Sequence, residues 1–545
     1  MTPEIISKLF PNPVLSIADI QAKYPPRALK EGQKVSRVGP SPTGFMHLGT
    51  VYASLMPERL AHQSGGIFML RIEDTDQKRK LEGATEIIAS SLEYFGIRPD
   101  EGVDVNGKDY GAYGPYTQSE RRDIYTAYAK HFVESGMAYP CFATEEDLEL
   151  MRKIQEKQGV RPGYYGKYAK YRDTDDSEIL ARLNAGEPYV LRFKSPGNYD
   201  KRITFKDIMK GEISMPENDL DIVLIKGDGL PMYHFAHLVD DYLMGTTHVL
   251  RADEWLSSVP LHIQLFQAMG WKAPKYGHFA PLQKLDNGNR RKLSKRLDPE
   301  ANVEFFVEKG YPKDAVIEYI INIINAGFED WRRANPTSGA FEFQMNFNKV
   351  SNVAGALFDF QKLHSISKDV IARMTAEKVY AHVLAWAEKY DAVFAAKMRD
   401  QKDYMVKIFA IERNAGKKSR KDLIKWEDVP ADVSYFFDDS FIRPVAPSEA
   451  AACADVSKIA SGFAALYDES DDKDAWFSKV KQVAEENGFT ADMKAYKENP
   501  AAYKGSVADV AKVLRVLITG RDQSPDLYEI MKVLGRARVL VRLKA

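Results

Sequence analysis

The sequence predicts an α/β protein in which a parallel sheet, split by an α+β insertion, is followed by a mainly α-helical C-terminal part. Three observations carry this. From Lys34 the chain reads strand, glycine-bearing loop, helix, strand; short apolar runs suited to a parallel sheet return at DIVLI and HVLRA; and beyond Arg296 the patterning is mainly helical.

The elements follow in order. Residues 1–34 mix short apolar groups with Pro11, Pro13, Pro25, Pro26 and Gly32, which predicts a loosely structured arm. KVSRV is the first strand, GPSPTGFMHLG a loop and TVYASLMPERLAHQ a helix. Pro57 lacks an amide hydrogen and crowds the carbonyl of Ala53, which predicts a kink or an early end. Gly65-Gly66 then leads into the strand IFMLRIED, completing a β-α-β unit. In EGATEIIASSLEYFG, Ile87, Ile88, Leu92 and Phe95 form one stripe, and Gly96 stands where a left-handed cap belongs. From Tyr116 to Asn218, helical runs such as RRDIYTAYAKHFVESG alternate with strand-like pieces such as YVLRF, which suits an inserted α+β subdomain. DIVLI precedes the turn GDGLP, MYHFAHLVDDYLMG and SSVPLHIQLFQAMG read as helices, and HVLRA between them as a strand. In the C-terminal part, YPKDAVIEYIINIINAG is the clearest amphipathic helix. The expected units are an arm (1–34), two halves of the sheet domain (35–115 and 219–300) around the insertion (116–218), a helical connecting domain (301–375) and a helical region (376–545).

At ~150 residues per domain, 545 residues make about three to four domains. No apolar stretch approaches the ~18–20 residues that span a bilayer, and the start MTPEIISKLFPNPVLSIADIQ lacks the pattern of a secretory signal, so a cytoplasmic protein is expected. Cys141 and Cys453 lie far apart without C-x-x-C spacing, which argues against zinc and against a disulfide scaffold. Lys plus Arg (76) balances Asp plus Glu (77), so any nucleic-acid contact would rest on a local patch.

Two strings carry chemistry. The first runs from Arg37 to Thr50, RVGPSPTGFMHLGT, a strand breaking into a proline-rich loop and then a helix. Such a helix start offers free amides and partial positive charge to phosphates, Gly49 lets a nucleoside approach the backbone, and His47 can donate to a phosphate as charge builds there. A tight turn with one partly buried histidine is the plainer alternative. The second is Lys292-Leu293-Ser294-Lys295-Arg296, preceded by the polar loop LDNGNRR; its cations can clamp a triphosphate, or be solvated surface charge.

Together the strings resemble the two signatures of class I aminoacyl-tRNA synthetases, with HLGT and KLSKR in the places of HIGH and KMSKS. RVGPSPTG, LRIEDTD, QSER and LRADEWL narrow the resemblance to bacterial-type glutamyl-tRNA synthetases, over roughly Lys34 to Ala545. It implies a Rossmann-type catalytic domain with an inserted acceptor-end-binding subdomain, followed by helical anticodon-binding domains. It also implies ATP-dependent activation of glutamate and transfer to tRNA, with magnesium accompanying ATP and no dedicated metal ligand in the protein.

A substrate with two carboxylates and one ammonium needs cationic forks and a counter-charge, which Arg37, Arg251 and Glu73 offer; Glu73 has Arg71 and Arg79 as alternative partners. The resemblance places Arg37, Ser41, Glu73, Tyr233 and Arg251 at the glutamate. It places Thr43, His47, Gly49, Glu254, Trp255, Ser294 and Lys295 at ATP, with His47, Lys292 and Lys295 as the catalytic set. His237 departs from the family pattern, in which Asn or a small residue is commoner, and is kept as a pocket residue. In ERNAGKKSRK, Arg413 and Arg420 are the implied anticodon readers. The resemblance favours a monomer. The alternatives are an enzyme that also charges glutamine tRNA, a glutaminyl-tRNA synthetase, and a tRNA-binding protein without catalysis.

Overall fold

Ahead of the first strand stand two short helices, α1 (Pro3–Leu9) and α2 (Ile17–Lys23), capped by Thr2 and Ser16, whose side chains accept the amides of Ile5 and Asp19. The arm expected to be loosely structured is therefore helical, and it is anchored. The Tyr24 hydroxyl donates to the Gly114 carbonyl at 2.8 Å, and the Arg27 guanidinium pairs with Glu101 at 2.7 Å and lies 3.8 Å from the Tyr113 ring centre. The prolines and Gly32 lie between and after the helices, so their turn signal masked two valid caps.

The computed structural model describes residues 1–294, 296–350, 356–413, 419–446 and 455–544. The chain divides into two units, Met1–Phe305 with Ile320–Asp359, and Phe306–Tyr319 with Phe360–Ala545. In the first unit, β1 (Val35–Val38), α3 (Leu48–His62) and β2 (Ile67–Leu70) form the expected β-α-β unit, with parallel register from Val35↔Ile67 to Val38↔Leu70. No early end occurs at Pro57: α3 runs on to His62. Leu48, Val51, Leu55 and Met56 are all fully buried, and at ~1.5–3 kcal/mol per side chain that burial outweighs one missing helical hydrogen bond. In α4 (Ala84–Tyr94) the inward stripe is Ala84, Ile88 and Leu92, with Phe95 beyond; Ile87 is 45% exposed, against expectation, because it is rotated ~100° from Ile88. Gly96 takes φ +75°, the anticipated cap. β3 (Gly102–Val103) and β4 (Asp109–Tyr110) form a short antiparallel pair.

The insertion contains α5 (Arg122–Glu134), β5 (Ala138–Cys141), α6 (Glu145–Lys157), α7 (Asp176–Asn184), β6 (Val190–Phe193), β7 (Arg202–Asp207), β8 (Gly211–Pro216) and β9 (Val223–Ile225). β5, β6 and β9 form one antiparallel sheet, and β7 with β8 a hairpin. DIVLI therefore pairs with the insertion rather than resuming the parallel sheet; a short apolar run carries no mark of its partner. The buried Asp221 ties this part together, accepting from the Tyr139 hydroxyl (2.7 Å), the Ser195 amide (2.9 Å) and Arg172.

The parallel arrangement returns with α8 (Tyr233–Leu243), β10 (His248–Ala252), α9 (Val259–Ala268) and β11 (Lys275–Phe279), where β10 pairs in parallel with β11. The Thr247 amide donates to the Val35 carbonyl at 2.9 Å, which sets the start of β10 beside β1. LDNGNRR is not a loop but the bend of a hairpin between β12 (Leu282–Asp286) and β13 (Asn289–Lys292). Asn287 and Gly288, at φ +48° and +81°, supply the two left-handed residues such a turn requires. Then follow α10 (Val303–Glu308), α11 (Lys313–Ile324), α12 (Gly327–Ala334) and β14 (Ala356–Leu357), which pairs in parallel with β12.

The second unit is helical, with α13 (Phe360–Ala372), α14 (Ala376–Tyr390), α15 (Ala392–Asp400), α16 (Lys402–Ala410) and, further on, Val456–Leu466, Lys473–Glu486, Val507–Thr519, Leu527–Leu534 and Arg536–Leu543. Val379, Val383, Met398, Ile408, Val480, Val510, Leu514 and Ile530 share one apolar core. Among the described residues no helix is long and apolar enough to cross a membrane.

Candidate functional site

Parallel strands present their C-terminal ends to ligands, and here the ends of β1 and β10 open on a cavity of about 1010 Å³. Arg37, Ser41, His47, Gly49, Glu73, Tyr233, Arg251, Glu254, Trp255 and Lys292, drawn from segments far apart in sequence, all line it. Thr43 is exposed and, with Ser294, lies off the lining. Lys295 falls outside the described residues.

His47 occupies the N-cap of α3, and its Nδ1 accepts the Gly49 amide at 2.8 Å. In the neutral ring the proton is then on Nε2, the correct form for donation to an anion. Gly49 is required by this cap, because a Cβ there would stand 2.7 Å from the His47 Nδ1. Gly39 plays a similar part at the end of β1, where a Cβ would fall 2.2 Å from a Glu73 oxygen.

Behind the cavity lies a buried charge cluster that the sequence reading missed. Asp241, on α8, lies 3.1 Å from Arg37 Nε, 2.6 Å from Arg71 and 2.6 Å from His237 Nδ1. Arg71 also donates to Glu73 at 2.8 Å, which decides between the two partners left open for that carboxylate. Burial works against the Arg37 charge, yet Asp241, together with Tyr233 and Glu73, outweighs it and leaves the guanidinium above its ordinary value. Burial likewise opposes the Asp241 charge, while Arg37 and Arg71 hold the carboxyl well below the usual range. The neighbouring Asp240 accepts from Arg121 (2.7 Å), Gln118 (2.9 Å) and Tyr125 (2.8 Å). The available signal was the adjacent Asp240-Asp241 in an otherwise apolar helical stretch, since buried carboxylates are kept only when paired.

His237 is not on the lining. It is fully buried, its Nε2 lies 3.0 Å from the Tyr276 hydroxyl, and its ring centre is 4.2 Å from that of His262. Burial pushes its pKa down to about 4 in spite of Asp241, so the ring is neutral at physiological pH. Its place four residues before Asp241 puts it on the inward face of α8, which corrects its expected role as a pocket donor.

Arg251 is differently placed. Nε donates to His278 Nε2 (3.0 Å), the two terminal nitrogens reach the Tyr233 hydroxyl (3.2 Å), His262 Nδ1 (3.2 Å) and the Trp255 carbonyl (3.1 Å), and none of these partners is a carboxylate. Across the cavity mouth, Lys292 pairs with Glu254 at 2.7 Å. Trp255 sits on the turn Asp253–Ser258, its ring centre 4.4 Å from that of Tyr233. The Ser294 amide donates to Asp298 at 2.8 Å, and Asp298 also takes Arg291 at 2.8 Å, so the segment after β13 is tied back to its own hairpin.

In the second unit the two arginines expected to read bases are engaged with protein. Arg420 is only 8% exposed, donates to Asp422 through two nitrogens and to the Ile408 carbonyl, and so is not presented as a base reader. Arg413 is half-buried and donates to the carbonyls of Ile371 (2.7 Å) and Met374 (3.2 Å); burial, with Arg420 nearby, lowers its pKa to about 10.

The catalytic-domain family of class I tRNA synthetases (E and Q) matches residues 34–363, and the anticodon binding domain family matches residues 420–545. The chain belongs to the class I tRNA synthetases of this type. Among curated relatives, the glutamate–tRNA ligase of Clostridium perfringens (strain SM101 / Type A) is 49% identical over 96% of this chain and 95% of its own length. That of Acetivibrio thermocellus is 46% identical over 99% of each. Among solved structures, a glutamate tRNA ligase from Elizabethkingia meningosepticum, crystallised in complex with its amino acid, matches with a TM-score of 0.74 and 28% identity, covering 94% of this chain and 98% of that one.

Proposed function

We propose that the protein is a glutamate–tRNA ligase, which joins glutamate to AMP and then to the 3′-terminal adenosine of tRNA. The observation that carries this is the polarity of one cavity. Arg251 offers a guanidinium whose partners are all uncharged side chains or a carbonyl, while Glu73 offers a carboxylate on the same lining. A molecule with two carboxylates and an ammonium matches that distribution, with Arg37, Ser41 and Tyr233 beside it.

The glutamate carboxylate attacks the α-phosphate of ATP, pyrophosphate leaves, and the terminal adenosine hydroxyl of tRNA then displaces AMP from the acyl-adenylate. No protein nucleophile is needed; the chain acts through position and charge. His47, with its proton on Nε2, would donate to the α-phosphate as charge grows. Lys292 and Lys295 would balance the departing pyrophosphate, and Gly49, Glu254 and Trp255 would hold the nucleoside. Among the described residues no group of three or more His, Cys, Asp or Glu is placed to hold a metal ion. Magnesium is read as arriving with the ATP phosphates, and no step is assigned to it.

We assign 35–115 and 219–300 to catalysis, 116–218 to the tRNA acceptor end, 301–375 to the connection and 376–545 to the anticodon, in a cytoplasmic monomer. The test is aminoacylation with labelled glutamate and, separately, glutamine, on purified tRNA specific for each. Glutamate joined to its own tRNA is the expected result. Its additional transfer to glutamine tRNA would make the enzyme non-discriminating, and no charging at all would leave a tRNA-binding protein.

A further inference from the structure

We propose that Asp207 and His278 are positioning residues that aim Arg251 at the amino-acid substrate; the inference rests on reading the cavity as a glutamate site. The geometry determines where each proton lies. Arg251 Nε always carries hydrogen, so His278 Nε2, 3.0 Å away, must accept and must be bare. The His278 proton is then on Nδ1, which lies 2.6 Å from Asp207 Oδ2. Asp207 is itself immobile, because its Oδ1 accepts the amides of Met209 (2.9 Å) and Lys210 (3.0 Å). Asp207 and His278 are both buried, at 1% and 0% exposure.

The line from Asp207 through His278 fixes the plane of the Arg251 guanidinium without cancelling its charge. A carboxylate in direct contact would also hold the plane but would neutralise the group, as Asp241 does for Arg37 at 3.1 Å. Interposing a neutral ring separates the two effects. Burial pushes the His278 pKa down although Asp207 opposes it, which keeps the ring in its accepting form. On the other edge of Arg251, His262 Nδ1 accepts in the same way at 3.2 Å. Arg251 thus keeps its charge and its orientation for a substrate carboxylate.

The test uses pyrophosphate exchange by the full chain with glutamate, ATP and tRNA specific for glutamate. In Asp207→Asn the backbone amides retain the carboxamide oxygen, which turns the NH2 group toward His278 Nδ1. The ring must then accept there and carry its proton on Nε2, donor against donor at Arg251. The glutamate KM is expected to rise by about 10- to 100-fold, with the ATP KM unchanged. His278→Gln retains an acceptor for Arg251 and should stay within about 3-fold of the parent, whereas His278→Leu should behave like Asp207→Asn. The two His278 variants decide the matter if Asp207→Asn does not fold. An unchanged glutamate KM in folded Asp207→Asn, or equal KM values for the Gln and Leu variants, would overturn the proposal. Absence of glutamate-dependent exchange in the unaltered chain would instead overturn the glutamate reading on which it stands.

Discussion

At the scale of single residues, Asp241 is the group on which most depends. It is 1% exposed and compensates two guanidiniums that are themselves 5% and 0% exposed. Asp241→Asn removes the charge but not the volume and leaves Arg37 and Arg71 with a net excess of buried positive charge. Breaking such a cluster costs about 3–5 kcal/mol, which urea unfolding at neutral pH should register as a lowered midpoint of the transition that belongs to Met1–Phe305 with Ile320–Asp359. The residue scale is also where the sequence was least legible. His47, Glu73 and Arg251 belong to strings with a recognisable chemical purpose. Asp241, His262 and His278 do not, because their roles arise from partners that only the tertiary fold brings within 3 Å or so.

At the scale of elements, α3 joins chemistry to stability. Its first turn is capped by His47, and near its last turn His62 lies 2.7 Å from Glu58 and 2.9 Å from Asp100. Hydrogen bonds to Asp100 and Glu58 raise the His62 pKa from 6.5 to about 9, while partial burial opposes the rise. A raised pKa in the folded state means that this stabilisation is complete below pH 6.5 and is lost as pH climbs through about 9. Because His62 is partly solvated, the effect should be about 1 kcal/mol rather than the full shift. Urea midpoints of the first unit's transition, taken from about pH 6 to about pH 9.5, should fall in the parent and stay flatter in His62→Gln. The β12–β13 hairpin makes a second prediction. Gly288→Val places a branched residue at φ +81°, a strain of about 1–2 kcal/mol, and misplaces Lys292 at the end of the hairpin. A lower kcat for pyrophosphate exchange at little change in the melting of the first unit is expected. The Asn-Gly pair that makes this turn was visible in the sequence, but the surrounding charge made it read as loop. The β-α-β unit was legible because strand, glycine-bearing loop, helix and strand follow one another from Lys34, and the pairing of β9 was not, because a short apolar run carries no mark of its partner.

For the whole molecule, the division into two units predicts that unfolding is not a single transition. Calorimetry should show a calorimetric enthalpy larger than the van't Hoff value. ATP with glutamate should move only the component belonging to Met1–Phe305 with Ile320–Asp359, by about 2.7 kcal/mol at a hundred-fold excess over Kd. One merged transition, shifted as a whole by the ligands, would contradict this. The change from sheet to helical patterning was readable along the chain; the interleaving of the units was not. Phe306–Tyr319 belongs to one unit and the residues immediately after it to the other, though both lie within continuous helical patterning.

The pairing of β14 with β12 has a consequence for synthesis on the ribosome. The hairpin bearing Lys292 emerges first, yet its three-stranded sheet is closed only by Ala356 and Leu357, after a segment destined for the other unit has already left the exit tunnel. Domains that fold as they emerge usually do so in order from the N-terminus. Here the β12–β13 hairpin waits for that late strand, and a chain stalled before Ala356 should leave the hairpin sensitive to protease.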